Sequence, residues 1–397
     1  MAEWEKIRLG DVCRTNADTY SPKEKWDFVN YLDTGNITNN TIDSIQFIEL
    51  KKMKLPSRAK RKVKTDSIIY STVRPNQRHF GIIKSQPENF LVSTGFVVID
   101  VDTNVLNADF LYYLLTQNTL VDALQAIAEQ STSAYPAIKP SDIENLEIEI
   151  PDLATQKKIS NILSSLDRKI AKNDEINKNL EQQAQAYFNE LFVVNAVPTW
   201  SECTLSDIGT IVAGGTPSKS KPEYYAKQGI AWITPKDLAV DKSKFISRGA
   251  NDISELGFSK SSATKMPAGT VLFSSRAPIG YIAIAQNEVT TNQGFKSVVP
   301  NEAIGTAYVY FLLKNLLPTI EGMASGSTFK EISGTGMKSV PTIMPDMNTI
   351  QRFNNFCEPI FKEQEVLEAE NHRLSTLRDS LLPKLMSGEL DVSDIDC

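Results

Sequence analysis

Apolar residues along this chain follow two patterns, and each pattern occurs twice. In the first, short β-rich runs are bounded by Pro, Asn and Ser. Ser67-Ile68-Ile69-Tyr70, Phe96 to Val101, Thr270-Val271-Leu272-Phe273 and Tyr281 to Ala285 predict strands. Asp109 to Ala128 and Ala307 to Ile320 carry apolar residues at helical spacing and predict helices between them. After Pro151 the pattern changes. Ile159, Leu163, Leu166, Ile170, Asn173, Asn177, Leu180, Ala184, Tyr187 and Leu191 step by alternating threes and fours, which is a heptad seam. After Pro345 a second seam runs through Phe353, Phe356, Ile360, Leu367, Asn371, Leu374, Leu377, Leu381 and Leu385. A helix from Thr155 to Leu191 would be about 55 Å long at 1.5 Å per residue.

The recurrence is colinear. Trp4, Leu9, Asp11 and Val12 match Trp200, Leu205, Asp207 and Ile208. Tyr31-Leu32 matches Trp232-Ile233, Ser71 and Pro75 match Ser274 and Pro278, and Gly95-Phe96 matches Gly294-Phe295. Tyr112 to Leu115 matches Tyr310 to Leu313, and Ser131-Thr132 matches Ser327-Thr328. Ile150-Pro151-Asp152 matches Met344-Pro345-Asp346, and Asn177 and Leu180 match Asn371 and Leu374. Matches that keep their order through half a chain indicate a duplicated module. The fold class that follows is α+β: two α/β globular units and two long helices, with a pseudo-two-fold internal repeat. Neither helix can bury its stripe alone. Packed on each other with two-fold pseudosymmetry, the two would form an antiparallel coiled coil, its register fixed in part by Asn173, Asn177 and Asn371.

Composition adds limits. At 397 residues the chain exceeds one ordinary core. Apolar residues make up 41% and charged residues 23%, as in a soluble globular protein. No run approaches the roughly 18 apolar residues of a membrane helix, and MAEWEKIRLG lacks the apolar stretch of a signal peptide. Cys13, Cys203, Cys357 and Cys397 have no metal-like spacing and read as reduced thiols of a cytoplasmic protein. His79 and His372 alone exclude a histidine-rich metal site.

Catalytic motifs are sparse. Gly334-Thr335-Gly336-Met337-Lys338-Ser339 lacks the Gly-Lys junction of a phosphate loop, and no dinucleotide fingerprint has its third glycine. No Pro-Pro dipeptide supports an amino-methyltransferase motif; His-Glu-x-x-His and Gly-x-Ser-x-Gly are also absent. Pro151-Asp152 with Asp167-Arg168-Lys169 fits the loose pattern of a metal-dependent nuclease. Its second half lies on the first long helix, however, and the other copy has Phe361-Lys362-Glu363 there. A lone nuclease or methyltransferase, and a scaffold that binds no DNA, stand as the alternative functions.

The net charge of −6 disfavours a nucleic-acid partner in total but not locally. Lys51, Lys52, Lys54, Arg58, Lys60, Arg61, Lys62 and Lys64 follow one another with no acid among them, and Arg74, Asn76, Gln77, Arg78 and His79 form a polar loop after them. Lysine contacts phosphate, whereas Arg, Asn and Gln have the bidentate geometry that reads guanine and adenine edges. The second copy disperses its basic residues, including Lys242, Lys244 and Arg248.

Gly214-Gly215-Thr216-Pro217-Ser218, Pro222-Glu223-Tyr224-Tyr225 and Ile230-Ala231-Trp232-Ile233-Thr234-Pro235-Lys236-Asp237-Leu238 resemble the opening of a target-recognition domain. Leu377-Arg378-Asp379-Ser380-Leu381-Leu382-Pro383-Lys384-Leu385-Met386-Ser387-Gly388 resembles the C-terminus of the same family, the specificity subunits of type I restriction–modification systems. In the first copy Arg14-Thr15-Asn16-Ala17-Asp18 replaces the Gly-Gly-Thr-Pro-Ser stretch. The resemblance implies target-recognition domains at residues 1–153 and 197–347, a first spacer helix at 154–196, and a second with the C-terminal tail at 348–397. It implies that each domain reads half of a split double-stranded DNA site, while the helices set the gap and dock two methylation subunits. Restriction subunits would join the full complex. The chain itself would bind no cofactor, S-adenosylmethionine, ATP and magnesium belonging to the partners. In the second domain the candidate contacts are Thr216, Ser218, Lys219, Lys236, Lys260, Lys265, Arg276, Asn292, Gln293, Ser327 and Lys330.

Overall fold

The computed structural model describes residues 4–131, 135–326 and 330–395. They form two compact units, Met1–Lys169 with Leu374–Cys397 and Ile170–Arg373, so each long helix is shared between both.

In the first unit Glu5–Arg8 pairs antiparallel with Glu147–Ile150. One four-stranded sheet runs in the order Gln46–Glu49, Phe28–Leu32, Phe90–Ser93, Ala59–Arg61. The other runs Cys13–Thr15, Phe96–Val101, Ile68–Ser71, Phe80–Ile82. Ile68–Ser71 and Phe80–Ile82 are buried at every residue, which is why they read as continuous apolar runs instead of alternating ones. Phe110, Leu111, Leu115, Val121 and Leu124 cover the second sheet from the helical side.

The helix expected over Asp109 to Ala128 is two, Ala108–Thr116 and Asn118–Glu129, divided at an extended Gln117. Local hydrogen bonding competes with the helix at this point. The Thr116 hydroxyl donates to the Tyr113 carbonyl, and Arg78 takes up the released Thr116 carbonyl and the Asn118 side chain.

The second unit repeats the order. Ser201–Thr204 pairs antiparallel with Pro341–Met344. Its larger sheet runs Gly209–Ala213, Lys296–Pro300, Val271–Ser275, Ile279–Ala285, Phe245–Ile246, and its smaller one Tyr225–Ala226, Asn251–Ile253, Ile230–Ile233, Thr290–Thr291. Here a single helix, Thr306–Met323, stands where the first unit has two. Phe245–Ile246 is an added edge strand, parallel to Ile279–Ala285.

Both long helices, Leu153–Asn189 and Met347–Met386, start from one capping device. Asp152 accepts from the Ala154 and Thr155 amides and the Thr155 hydroxyl; Asp346 accepts from the Thr349 amide and hydroxyl. In the first unit Ile159 and Leu163 share a core with Leu385, Met386 and Val392. Lys158 donates to the Ser393 carbonyl at 2.6 Å, and Arg378 pairs with Asp167 at 2.7 Å. In the second unit Asn173 bonds Asn371, Gln364 donates to the Asn177 carbonyl, and the Tyr187 ring packs at a tilt against Phe356. Advance along one helix is retreat along the other in both units, so the pairing is antiparallel.

The second seam is corrected at two points. Phe356 is 39% and Leu377 46% exposed, while Cys357 and Gln364 are buried. The steps of four and three run Phe353, Cys357, Ile360, Gln364, Leu367, Asn371, Leu374, Arg378, Leu381, Leu385. Hydrophobicity alone missed Gln364 and Arg378 because they are polar, and took Phe356 for the seam in place of its neighbour Cys357.

Candidate nucleic-acid interface

In each unit five segments at strand ends and in loops are linked to one another by hydrogen bonds. In the first unit Asn16 exchanges bonds with Val98, Lys62 donates from its amide to the Asp18 carbonyl, and Thr94 donates to the Arg58 carbonyl. Thr72 reaches the Gly95 carbonyl, and Arg74 the Pro136 carbonyl. In the second unit Gly214 and Gly215 donate to Phe295 and Thr291, Asn292 to Ile233, and Ser275 to Gly294. Ile332 closes the set by donating to the Ser275 carbonyl. Four of the segments correspond across the repeat, 16–18 to 214–215, 72–74 to 275, 94–98 to 291–295 and that at 136 to that at 332, and their side chains differ; 58–62 does not correspond to Ile233, which matches Leu32.

The basic stripe of the first unit is not uniform. Lys51 pairs with Asp27 at 2.9 Å and Lys52 with Glu49 at 2.8 Å. Lys62 pairs with Glu24 at 2.6 Å, a hydrogen bond that raises the Lys62 pKa and depresses that of Glu24, and it lies over the Trp26 ring. Lys64 faces Asp100 at 3.9 Å. Arg61 is half-buried, and desolvation lowers its pKa. Among the described residues Lys54, Arg58 and Lys60 carry no ion pair, and all three are exposed.

The polar loop also divides. Arg74 sits at φ 48° with its guanidinium 5.5 Å from the Tyr135 ring centroid, and Tyr135 is 61% exposed. Asn76 and Gln77 form an exposed turn, whereas Arg78 is held at the break between the two helices. Sequence reasoning missed Tyr135 and Asp33. Burial would raise the Asp33 pKa, but the Thr34 amide, Ser93 and Tyr31 outweigh it and keep the carboxylate ionised beside Arg58. The equivalence of Tyr31-Leu32 to Trp232-Ile233 was the available signal for this corner.

In the second unit the Gly-Gly-Thr-Pro-Ser loop is seated by aromatic side chains. Trp232 Nε1 donates to the Gly215 carbonyl at 3.0 Å, and the Tyr225 hydroxyl donates to the Pro217 carbonyl at 2.8 Å. Both glycines are required by close approach. A Cβ on Gly214 would lie 2.0 Å from the Asn292 oxygen, and one on Gly215 2.3 Å from the Ala263 nitrogen. The Thr216 hydroxyl donates to Gln293 Oε1, and Ser218 meets Ser220. Asn292 accepts from the Gly294 amide, so its side chain shapes the turn.

Glu331 gathers Arg276 at 3.1 Å and the buried Lys296 at 3.6 Å. Lys265 pairs with Glu288; Lys219, Lys236, Lys260 and Lys330 are exposed. Ser327 lies outside the described residues. Lys244, counted among the dispersed basic residues, is buried beside the long helices, so it is not part of a solvated face.

Other sequence motifs have structural partners. Asp152 is a helix cap, and Asp167 receives the Tyr113 hydroxyl at 2.6 Å and Arg378 at 2.7 Å. The two carboxylates stand apart by about 22 Å of helix rise, too far to share one ion. Cys13, Cys203 and Cys357 are free thiols, each with its pKa pushed up by burial. Gly334–Lys338 forms a short helix capped by Ser333. No described helix is long and apolar enough to cross a membrane.

The model of the type I restriction modification DNA specificity domain matches residues 1–182 and again 198–371. The chain belongs to this family. The HindI specificity subunit of Haemophilus influenzae is 27% identical to this specificity chain, the alignment covering 98% of the chain and 100% of that protein. The MjaIX specificity subunit of Methanocaldococcus jannaschii is 37% identical over 46% of this chain and 44% of its own length. Among solved structures, the type I restriction–modification S subunit from M. genitalium has a TM-score of 0.61 at 17% identity, covering 97% of this chain and 96% of that one. That likeness concerns the fold, and it extends to both copies of the specificity domain.

Proposed function

We propose that this specificity chain reads double-stranded DNA as a bipartite site, one half through the loop cluster of each unit. The observation that carries the reading is the pair of hydrogen-bonded loop clusters, four of whose segments correspond across the repeat. A shared backbone frame carries Arg58, Lys60, Arg74 and Gln77 in one copy and Thr216, Arg276, Gln293 and Lys330 in the other. Equivalent frames with different hydrogen-bonding groups suit two different half-sites. Lysines on the same faces supply sequence-independent attraction to phosphate.

The helix pair sets the unread gap and docks two methylation subunits. Those partners carry S-adenosylmethionine, and restriction subunits bring ATP- and magnesium-dependent cleavage; the specificity chain performs no chemistry of its own and works in the cytoplasm. Footprinting of the chain assembled with its methylation partner tests this. Two protected half-sites flanking an unprotected gap are expected. One continuous footprint refutes the bipartite reading, and absence of binding favours a scaffold.

A further inference from the structure

One cation of the second unit is placed where a phosphate-binding lysine has no business. Lys244 has a side chain only 6% exposed, in a segment that joins the larger sheet through Phe245–Ile246. Its ammonium donates to Gln364 Oε1 at 2.6 Å and pairs with Glu181. It also lies 4.2 Å from the Phe361 ring centroid, 4.8 Å from Tyr310 and 5.5 Å from Phe311. Glu181 is on the first long helix, Gln364 and Phe361 are on the second, and Tyr310 and Phe311 are on Thr306–Met323.

The backbone beside it is held independently. The Lys244 and Phe245 amides donate to the two oxygens of Glu368, at 2.8 and 3.1 Å, and Asp241 faces His372 at 3.6 Å. Gln286, from the loop after Ile279–Ala285, donates to Glu365 at 3.2 Å. Glu181 is further tied by Lys314 and the Tyr310 hydroxyl. A buried ammonium in this setting fixes geometry more than it adds stability, because desolvation offsets most of its attraction. The first unit has no equivalent: among its described residues no strand lies beyond Phe80–Ile82, and its helix-pair ion pair Asp167–Arg378 engages Tyr113 instead of a sheet-edge segment.

We propose that Lys244 is a positioning residue for DNA reading: with Glu181, Gln364 and Glu368 it latches the segment 241–246 to the helix pair and so fixes the register in which the second half-site is presented. The proposal rests on the bipartite reading above. Lys244 touches no base; it acts by denying the second loop cluster the freedom to follow a half-site displaced along the duplex.

The test uses the full chain assembled with its methylation partner and duplexes whose gap is native, one base pair longer or one shorter. Lys244→Met keeps the volume and leaves Glu181 its Lys314 partner. Affinity for the native gap is expected to stay within about threefold, while the penalty for a one-base-pair change falls about tenfold. Lys244→Arg should restore part of the discrimination. An unchanged penalty, or an equal loss of affinity at all gaps, overturns the latch. Hydrogen exchange in the wild-type complex gives a second readout that does not depend on a variant folding: slow exchange at the Lys244 and Phe245 amides, accelerated in Glu368→Gln, is expected, and fast wild-type exchange overturns the proposal. A wild-type complex indifferent to gap length removes the bipartite reading itself, before any variant is compared.

Discussion

Asn173 donates from Nδ2 to Asn371 Oδ1 at 2.8 Å, across the helix pair of the second unit. Asn173 Nδ2 also reaches Glu370, and Asn371 donates in turn to Asp174, whose pKa burial raises. Among the described residues Asn173 Oδ1 is buried without a partner. Such pairs specify register at a cost in stability. Replacing both asparagines with Leu should leave stability unchanged or raise it, whereas Asn173→Leu alone should cost about 1–3 kcal/mol by leaving its partners unsatisfied. Denaturant midpoints of the single and double variants decide it, and strictly additive losses contradict the pairing.

Unpaired cations, not all cations, should set the salt dependence of DNA binding. Replacing Lys54, Arg58 and Lys60 with Ala should lower the slope of log affinity against log salt by about 2.5 to 3 if each meets a phosphate. Lys51→Ala with Lys52→Ala should change it less, since Asp27 and Glu49 already neutralise those two. Titrations at several salt concentrations separate the two sets, and equal slopes would show that the pairs open on DNA.

Gly214→Ala forces a Cβ against the Asn292 and Thr291 carbonyl oxygens, at 2.0 and 2.5 Å. The expected result is loss of second half-site protection with first half-site protection retained, at a local cost of about 2 kcal/mol. Footprinting reads both halves in one experiment. Intact protection of the second half would mean that the loop gives way without consequence.

Arg378 occupies a seam position and holds Asp167, which also receives the Tyr113 hydroxyl. Arg378→Ala should destabilise the first unit by about 2–4 kcal/mol, with Arg378→Lys recovering only part because the ammonium lacks the guanidinium fork. Thermal unfolding compares the three proteins; equal stability would relegate the pair to a solvated contact.

Glu181 gives a pH signature. Burial opposes its ionisation, yet Lys244 and Lys314 outweigh burial and hold its pKa below the ordinary carboxylate value. A depressed acid stabilises the fold fully above its unfolded pKa of about 4.3 and loses that contribution as pH falls through the folded value. The stability gap between wild type and Glu181→Gln should therefore narrow on acidification below about pH 4. Denaturation midpoints at neutral and acid pH measure it. A constant gap refutes the ion-pair origin.

Periodicity located both long helices because Ile159, Leu163 and Ile360 are apolar at heptad steps, and repetition located the two globular units. What hydrophobicity could not show was Arg378, Gln364 and Cys357 on the seam, since their burial depends on a partner far along the chain. The candidate contacts were legible as residue types only. That Lys51, Lys52 and Lys62 are neutralised while Lys54 and Lys60 are not depends on Asp27 and Glu24, which the fold brings near, and on Glu49, three residues before Lys52. Lys244 read as a surface lysine because nothing next to it in sequence announces Glu181 or Phe361.

The division of each helix between two units bears on how the protein is made. The second unit is one unbroken stretch, 170–373, and can assemble as soon as that stretch has left the ribosome. The first unit cannot: Leu385, Met386 and Val392 belong to the same core as Leu9 and Phe110. Its earliest-synthesised strands must wait, with apolar surface uncovered, until residues made after the entire second unit arrive to close them, and during that interval the nascent chain is open to aggregation and to chaperone capture.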